Sequence, residues 1–509
     1  MAKSNLYGAM VLTAQDMQLM IIDQKSQVVL ERISAPLHLG ADLFEGHRLD
    51  PSVGDEVIVI LERFLQILRD YHVTNYRLVA SHTIARAENI DYIRDHIFIM
   101  TGETLHFMTV NEESLFAYEA AAQLLPDFDK LISGHTVLMQ IGASMVHFML
   151  FIDGQLLLTR ELFLGPMQVA TQLQDLEHRV ESYQEMLSDY LHSKLVSLYQ
   201  FLPEQRFDRV ILMGSKLHLL DHLIPRGQRF VELSLADFDQ QFQRVVEMTP
   251  QDLLNESNIP ADQTNEVLPL FLLLDEVFDH LQVKQIELTD FKVIDGCVID
   301  EVGHHHQNAH NTDPTSQVML SAAYELARRF HVDEQHQQSV VKFATQLFDR
   351  LKKLHGLGAH ERLLLQLAAI LQDSGLFIDS TRHAFHSEYI INHSEMLGLR
   401  ADEQVAVAAI ARYHSSETVS ADLSRFNISM ANRMVMVKLA AILRLADALD
   451  DSRLHKISSI SVSIKKPQVI IRATANDDIE LETWTFNKKR RFFEEIYGFT
   501  PQLQRTGRF

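Results

Sequence analysis

The segment that most constrains the fold is Thr136–Arg160, whose sequence is TVLMQIGASMVHFMLFIDGQLLLTR. Its apolar runs are separated by a loop of small residues and by the dipeptide Asp153-Gly154, a pattern that predicts strand, loop, strand, tight turn and strand. A phosphate-binding α/β fold would carry a glycine-rich loop at this place. Here the loop contains a single glycine, Gly142, and its flanking residues are Gln140 and His147 rather than carboxylates. The segment therefore predicts a retained scaffold with altered chemistry.

The same order of elements occurs earlier in the chain, at Leu6–Ile33, with Thr13–Asp16 as the loop and Asp23–Ser26 as the turn. A repeat at a spacing of roughly 130 residues predicts two similar α/β lobes that face each other across a cleft. Around the two copies, apolar periodicity predicts helices at Pro51–Tyr71, Asn111–Leu125 and Met167–Phe201, and strands at Tyr76–Ala80 and Arg209–Met213.

The second half of the chain has a different pattern. From Ser316 to about Leu449, apolar residues recur at i, i+3 and i+4, which predicts a helical domain. After Lys456 the tracts ISSISVSI, VIIRATA and IELETWTF alternate in polarity, which predicts a small terminal sheet closed by Lys488–Tyr497. The predicted domains are residues 1–125 and 126–302 for the lobes, 303–315 for a linker, 316–453 for the helical domain and 454–509 for the terminal segment.

The predicted linker lies in Glu301–Pro314, which has turn-forming residues and no periodicity. It contains several histidines, which are His304, His305, His306 and His310. Imidazoles can bind metal, but no cysteine or carboxylate pattern accompanies them here. Incidental exposure to solvent is therefore the favoured interpretation.

The net charge of the 509-residue chain is -22, so its surface repels nucleic acid and anionic membranes, and neither is a predicted partner. The single cysteine, Cys297, cannot form an internal disulfide, which favours a reducing compartment. The longest apolar stretches, such as Leu363–Leu371, are shorter than the ~20 residues of a membrane-spanning helix. We therefore predict a cytoplasmic protein.

Several tracts together resemble one known family, the exopolyphosphatase / guanosine pentaphosphate phosphohydrolase (Ppx/GppA) family. In the first half they are Val79–Asn89 (VASHTIARAEN), Thr101-Gly102, Val110–Tyr118 (VNEESLFAY), Gln140–Ser144 and Leu164–Pro166. In the second half they are Leu347–Leu357, His386–Leu399, Ile410–His414 and Leu439–Asp450.

This resemblance implies a two-lobed α/β fold of the actin-like ATPase (sugar-kinase-like) class, followed by an all-α HD-like domain and a small C-terminal α+β segment. It also implies hydrolysis of terminal phosphoanhydrides with Mg²⁺ or Mn²⁺. The implied ligands are inorganic polyphosphate or guanosine pentaphosphate or tetraphosphate, and the implied assembly is a homodimer.

Glu113 corresponds to the family's catalytic glutamate, which orients or deprotonates the attacking water. A second interpretation needs no catalysis, since Glu112 and Glu113 also suit the first turn of a helix through its dipole. Both interpretations remain open from the sequence.

The resemblance also implies loops whose backbone N–H groups bind phosphate. The corresponding positions are Thr13, Ala14 and Gln15 in the first loop, Gly142, Ala143 and Ser144 in the second, and Gly214 with Ser215 in a third. The family's arginine falls on Ala85, and Arg86 follows it. Each lost electrostatic donor costs roughly 10²–10³ in rate. Two functions are therefore predicted as alternatives: a phosphoanhydride hydrolase of reduced activity, or a catalytically silent paralogue that binds polyphosphate or an alarmone, or regulates an active relative.

In the HD-like domain, His336, Asp373 and Asp447 correspond to metal ligands, whereas the histidine of the His-Asp pair is replaced by Gln372. Imidazole and carboxylate together suit divalent ions that activate water. A polar network between helices is the favoured interpretation, with a structural, sensing or catalytic metal as the alternatives. Further histidines near the expected cavity are His383, His386 and His414.

The chain has a basic run, which is Lys488, Lys489, Arg490 and Arg491. On an acidic protein such a run could contact polyphosphate. A solvated helix end is the favoured interpretation.

Overall fold

The computed structural model describes residues 5–37, 39, 43, 48–177, 179–202, 206–220, 228–256, 259–306, 314–415 and 429–506. The chain divides into two compact units, Met1–Asn311 and Thr312–Phe509. This division falls within the predicted linker, although the last helix of the first unit extends to His306. His310 lies outside the described residues.

The first unit contains two sheets. The first sheet has the order β3-β2-β1-β4-β5, with the strands Leu6–Leu12 (β1), Asp16–Asp23 (β2), Val28–Pro36 (β3), Asn75–Ala80 (β4) and His106–Phe107 (β5). The second sheet has the order β10-β11-β9-β6-β7-β8, with the strands His135–Ile141 (β6), Val146–Ile152 (β7), Gln155–Leu162 (β8), Arg209–Met213 (β9), Phe230–Ser234 (β10) and Gln285–Thr289 (β11).

The helices of the first unit are interspersed among these strands along the chain. They are Pro51–Asp70 (α1), Ile90–Thr101 (α2), Val110–Leu124 (α3), Phe128–Leu131 (α4), Pro166–Leu173 (α5), Tyr183–Tyr199 (α6), Leu235–Glu247 (α7), Pro250–Glu256 (α8), Val267–Leu281 (α9) and Val293–His306 (α10).

The predicted repeat is confirmed by the pairing of the strands. β1 is antiparallel to β2 and parallel to β4, and β6 is likewise antiparallel to β7 and parallel to β9. The loops that connect β1 to β2 and β6 to β7 therefore occupy equivalent places in the two sheets.

The prediction of one continuous helix at Met167–Phe201 is wrong. The segment is divided into α5, a short 3₁₀ turn at Gln174–Leu176, and α6. Helix α6 begins afresh because the side chain of Ser182 accepts a hydrogen bond from the backbone N–H of Glu185, at 3.2 Å. A serine cap within an apolar periodicity marks a new helix rather than the middle of one.

The second unit is helical and then mixed, as predicted. Its helices are Pro314–Arg329 (α11), Glu334–His355 (α12), Ala359–Leu371 (α13), His383–Asn392 (α14), Ala401–Arg412 (α15), Met430–Ala448 (α16) and Glu480–Tyr497 (α17). Its sheet has the order β12-β13-β14, with the strands Ile457–Lys465 (β12), Gln468–Ala475 (β13) and Thr500–Thr506 (β14).

The prediction that IELETWTF forms a strand is wrong, because most of this tract lies in α17. The third strand is β14, which runs parallel to β13. The buried residues of α17 recur every three or four positions, which is the helical period. They include Glu482, Phe486, Lys489 and Phe493, so the period becomes visible only beyond the end of the tract at Phe486. A tract of eight residues was too short to distinguish this period from alternation.

Helix α3, which carries Glu113, is held by close packing against α10. One face of the first sheet contributes Tyr7, Ala9 and Val11 to a cluster with Phe116 of α3 and Cys297 of α10. Gly296 lies where α10 crosses α3, and a Cβ atom at this position would collide with the backbone carbonyl of Phe116. Glycine therefore permits the close approach that positions α3.

Within the described part of the chain, no helix combines the length and the apolar character needed to cross a bilayer.

We predict that Gly296→Ala lowers the free energy of unfolding of the protein by about 1–3 kcal/mol, because the added methyl group overpacks the contact between α3 and α10. Urea denaturation measures this quantity. Gly134→Ala is the matched control, since a Cβ there meets no atom within 4 Å. Equal stability of the two variants would contradict the close packing.

Candidate active site

Most of the residues predicted to bind phosphate lie around one cavity of about 60 Å³ in the first unit. Besides Glu113, these lining residues are Thr13, Ala14, Gly142, Ala143, Ser144, Gly214 and Ser215. They come from both sheets, so folding brings together loops that are far apart in sequence. Gln15 and Arg86 do not line this cavity.

The loop between β6 and β7 is held tightly against α5. The backbone N–H of Gly165 donates to the carbonyl of Ser144 at 3.0 Å, and that of Gln168 donates to the carbonyl of Ala143 at 3.1 Å. A Cβ atom on Gly165 would collide with the backbone of Ala143 and Ser144. Because these carbonyl oxygens are bonded to α5, they add little negative charge to the cavity.

Gly214 lines the cavity and directly follows β9, an inner strand of the second sheet. Its φ is 115°, and a Cβ atom there would collide with the backbone of Ile141 in β6. Only glycine adopts this conformation without strain and with so close an approach. The third predicted loop therefore keeps the glycine that its geometry requires.

Glu113 lies in the first turn of α3, after a capping box formed by Thr109 and Glu112. Its Oε2 accepts a hydrogen bond from Ser81 Oγ at 3.0 Å and lies 2.7 Å from His82 Nδ1. Burial by itself would raise the pKa of this carboxyl, but the charge and hydrogen bond of His82 outweigh burial and lower the pKa to about 2. Glu113 is therefore a buried anion throughout the physiological pH range.

His82 is bonded to a carboxylate at each ring nitrogen. Nδ1 faces Glu113, and Nε2 forms an ion pair with Glu161 of β8. Burial by itself would lower the pKa of His82, but the two carboxylates, Glu113 first, raise it to about 10. The imidazolium thus connects Glu113 to Glu161 across the cleft, with His147 at 3.7 Å from Glu161.

Sequence reasoning did not identify His82, Glu161 or Lys292, although His82 and Lys292 line the cavity. His82 and Glu161 belong to different sheets, and no local pattern connects them. The one available signal was a histidine inside a tract of small residues, Ala80–Thr83.

Arg86 lies beside this cavity and lines a second one, of about 430 Å³. Its guanidinium carbon is 4.1 Å from the centre of the Phe163 ring. Thr83 lines both cavities, and Lys194 adds a second basic group to the larger one. Arg86 and Glu113 therefore line different cavities that share Thr83.

In the second unit, the predicted metal-binding residues do come together. His336 Nε2 lies 3.4 Å from Asp447 Oδ1 and 3.7 Å from Asp373 Oδ2, and its Nδ1 is 2.9 Å from Asp450. Burial by itself would lower the pKa of His336, but the carboxylates, Asp447 first, raise it to about 9. These carboxylates therefore favour the protonated form of His336.

Other protein groups satisfy the same carboxylates. Lys489 forms an ion pair with Asp447, and Gln372 Nε2 donates to Asp447 Oδ1 at 2.8 Å. Arg453 Nη2 lies 2.5 Å from Asp373 Oδ2. The set His336, Asp373 and Asp447 thus forms a polar network, which fits the favoured interpretation of these residues.

The basic run is divided between the inside and the outside of α17. Lys489 is 6% exposed and faces Asp447, whereas Lys488 and Arg491 are exposed. Arg490 and Arg491 are near Glu494 and Glu495, at 3.5 and 3.3 Å. Successive residues of a helix are rotated by about 100°, so the run cannot present one continuous basic face.

We predict that the folded state loses stability as the pH rises above the usual histidine pKa of about 6.5. In the folded state the pKa of His82 is about 10, so His82 keeps its proton at neutral pH. The unfolded chain releases the same proton near pH 6.5. The stabilisation is therefore complete below pH 6.5 and is lost as the pH approaches 10, with a slope of at most about 1.4 kcal/mol per pH unit.

Urea denaturation at pH 6 to 9 measures this slope. His82→Gln should have a flatter profile than the wild type, while His72→Gln, which changes an exposed histidine, should match the wild type. A wild-type slope in His82→Gln would show that His82 is neutral in the folded state.

We predict that Lys489→Met lowers the free energy of unfolding by about 3–5 kcal/mol, because Asp447 is left as a buried charge without its main partner. Lys488→Met is the matched control on the neighbouring, exposed residue and should stay within about 0.5 kcal/mol of the wild type. Urea denaturation compares the two variants. If both lost the same stability, the ion pair with Asp447 would not be the cause.

Comparison with known protein families finds one match in each of the two units. Residues 20–305 match the Ppx/GppA phosphatase family, and residues 318–490 match domain III of the Ppx/GppA phosphatases.

Two curated relatives are guanosine-5'-triphosphate,3'-diphosphate pyrophosphatases. The one from Pseudoalteromonas atlantica is 21% identical over 472 residues, which cover 88% of this chain and 87% of the relative. The one from Aeromonas hydrophila is 19% identical over 452 residues, which cover 88% of each chain.

Solved structures show the same fold. An exopolyphosphatase from Cytophaga hutchinsonii aligns with a TM-score of 0.51 at 16% identity, over 59% of this chain and 98% of that one. The Ppx/GppA family member of Aquifex aeolicus aligns with a TM-score of 0.50 at 13% identity, over 60% of this chain and 99% of that one. The predicted fold class is therefore confirmed. Since the family match spans more than half of the chain and includes Glu113 with the second and third predicted phosphate loops, the protein belongs to the Ppx/GppA phosphatase family.

Proposed function

We propose that the protein is a Ppx/GppA-type phosphoanhydride hydrolase that releases terminal phosphate from inorganic polyphosphate or guanosine pentaphosphate. The observation that carries this proposal is the position of Glu113, which faces the same cavity as all three predicted phosphate loops. The names of the curated relatives and of the Cytophaga structure support the class of substrate.

Glu113 is suited to orient water rather than to remove a proton completely. Its Oε2 is bonded to Ser81 and His82, while its Oε1 has only a 3.4 Å contact with Ser81 among the hydrogen bonds of the described residues. A carboxylate anion accepts a hydrogen bond from water even when its pKa is low. Phosphoryl transfer proceeds mainly by positioning and charge stabilisation, so such a group is sufficient.

The positive charge for the phosphates comes from two places in this proposal. Lys292 lines the cavity that contains Glu113, and Arg86 and Lys194 line the adjoining cavity of about 430 Å³. The terminal phosphate would enter the smaller cavity, and the rest of the substrate would occupy the larger one. This division assigns Arg86 to substrate binding even though it is separate from Glu113.

The cavity around Glu113 does not by itself fit the predicted Mg²⁺ or Mn²⁺. These ions require several oxygen ligands, and the carboxylate of Glu113 is already paired with His82. In this proposal the divalent cation accompanies the phosphates of the substrate. The predicted homodimer and the cytoplasmic location remain predictions.

A second candidate function is binding of polyphosphate or an alarmone without turnover. It is favoured by the ion pairs that hold His82 between Glu113 and Glu161. A catalytic carboxylate in a buried ion pair is restrained, and the small volume of the cavity leaves it little space to rearrange.

The test is phosphate release from long-chain polyphosphate and from guanosine pentaphosphate, with Mg²⁺ or Mn²⁺ present. We expect Glu113→Gln to lower the rate by about 10²–10⁴ relative to the wild type. Glu112→Gln is the matched control, because glutamine also completes a capping box and Glu112 does not line the cavity.

Thermal unfolding with and without polyphosphate distinguishes the two candidates. No release together with a raised Tm would favour silent binding, since a ligand stabilises the state that binds it. Neither release nor stabilisation would contradict both functions. Equal release by the wild type and Glu113→Gln would place the activity outside this cavity.

A further inference from the structure

Three ligand atoms converge in the second unit on a point that the polar network around His336 leaves free. They belong to Asp373, His383 and His414, and all lie within 4.8 Å of one another. The two Nε2 atoms are 3.0 Å apart, and Asp373 Oδ1 lies 3.9 Å from His383 and 3.7 Å from His414. Ligands bound tetrahedrally at about 2.0–2.2 Å from an ion lie roughly 3.3–3.5 Å apart. The three observed spacings, 3.0, 3.7 and 3.9 Å, lie on either side of this range.

The hydrogen bonds of the two imidazoles determine which nitrogen carries a proton. His383 Nδ1 lies 3.2 Å from the carbonyl oxygen of Ser380, and His414 Nδ1 lies 2.5 Å from that of Ala411. A carbonyl only accepts, so each Nδ1 must donate its proton. In the neutral rings, both Nε2 atoms then present lone pairs to each other, an arrangement that a cation between them stabilises.

A hydrogen bond from Arg453 likewise fixes the orientation of the Asp373 carboxylate. Arg453 bonds to its Oδ2 at 2.5 Å and leaves Oδ1 towards the two histidines. Histidines held by backbone carbonyls and a carboxylate held by a hydrogen-bond donor are the usual surroundings of metal ligands.

We propose that His383, His414 and Asp373 bind a divalent transition-metal ion, with Zn²⁺ as the representative ion. Two imidazoles and one carboxylate suit such an ion, whereas Mg²⁺ and Ca²⁺ prefer oxygen ligands. This set shares only Asp373 with the ligands predicted from the sequence. All three proposed ligands line a cavity of about 270 Å³, which Ser415 and Lys488 also line.

A second cluster, formed by His82, His147 and Glu161, has similar spacing. There His82 already contacts a carboxylate at both ring nitrogens. An imidazole without a free lone pair cannot coordinate an ion, so this cluster carries no metal proposal.

The test is Zn²⁺ binding to the full-length protein, measured by equilibrium dialysis and metal analysis. We expect the wild type to bind one equivalent more than His383→Ala and than His414→Ala. The histidines at 304–306 could bind metal independently, so a variant with His304→Ala, His305→Ala and His306→Ala is the control and should keep the equivalent. His393→Ala, at an exposed histidine that follows α14, should also keep it.

Arg453→Gln gives a finer test, because it leaves all three ligands in place. We expect it to weaken Zn²⁺ affinity by about 10–100-fold. Circular dichroism verifies folding, and the partly exposed His383 provides a variant that should fold even where His414→Ala does not. Equal Zn²⁺ binding by the wild type and His383→Ala, or loss of the equivalent only in the 304–306 variant, would overturn the proposal.

Discussion

The ion pairs of the His82 imidazolium with Glu113 and Glu161 are the interaction on which the first unit most depends. His82 follows β4 of the first sheet, whereas Glu161 lies in β8 of the second. A buried charge is stable only when another charge or several hydrogen bonds compensate it. One cation therefore joins the two lobes and keeps Glu113 ionised.

In the second unit, cationic side chains likewise compensate buried carboxylates. Lys489 and Arg453 neutralise Asp447 and Asp373, two carboxylates that the family resemblance predicts as metal ligands. A protein cation compensates carboxylates without any ligand, at the cost of the chemistry that a metal would supply there. The proposed ion is instead bound through the other oxygen of Asp373, so the two arrangements are compatible.

The sequence predicted elements best where the signal was local. The loop at Gly142 and the strands around it followed from alternation and an Asp-Gly turn. The failure at Met167–Phe201 arose because apolar periodicity continues across the cap at Ser182, which begins a new helix inside the segment. The failure at the IELETWTF tract arose because eight residues fit more than one period, and the buried residues that decide the helix continue to Phe493.

The sequence alone predicted the repeat of two lobes, the family and most residues around the cavity of Glu113. Each of these depends on local periodicity or on short tracts that are read in one place. The tertiary fold was needed to show which polar groups meet, such as His82 with Glu161, Lys489 with Asp447, and His383 with His414. Pairing of isolated charges depends on how distant segments pack, and no local pattern encodes it.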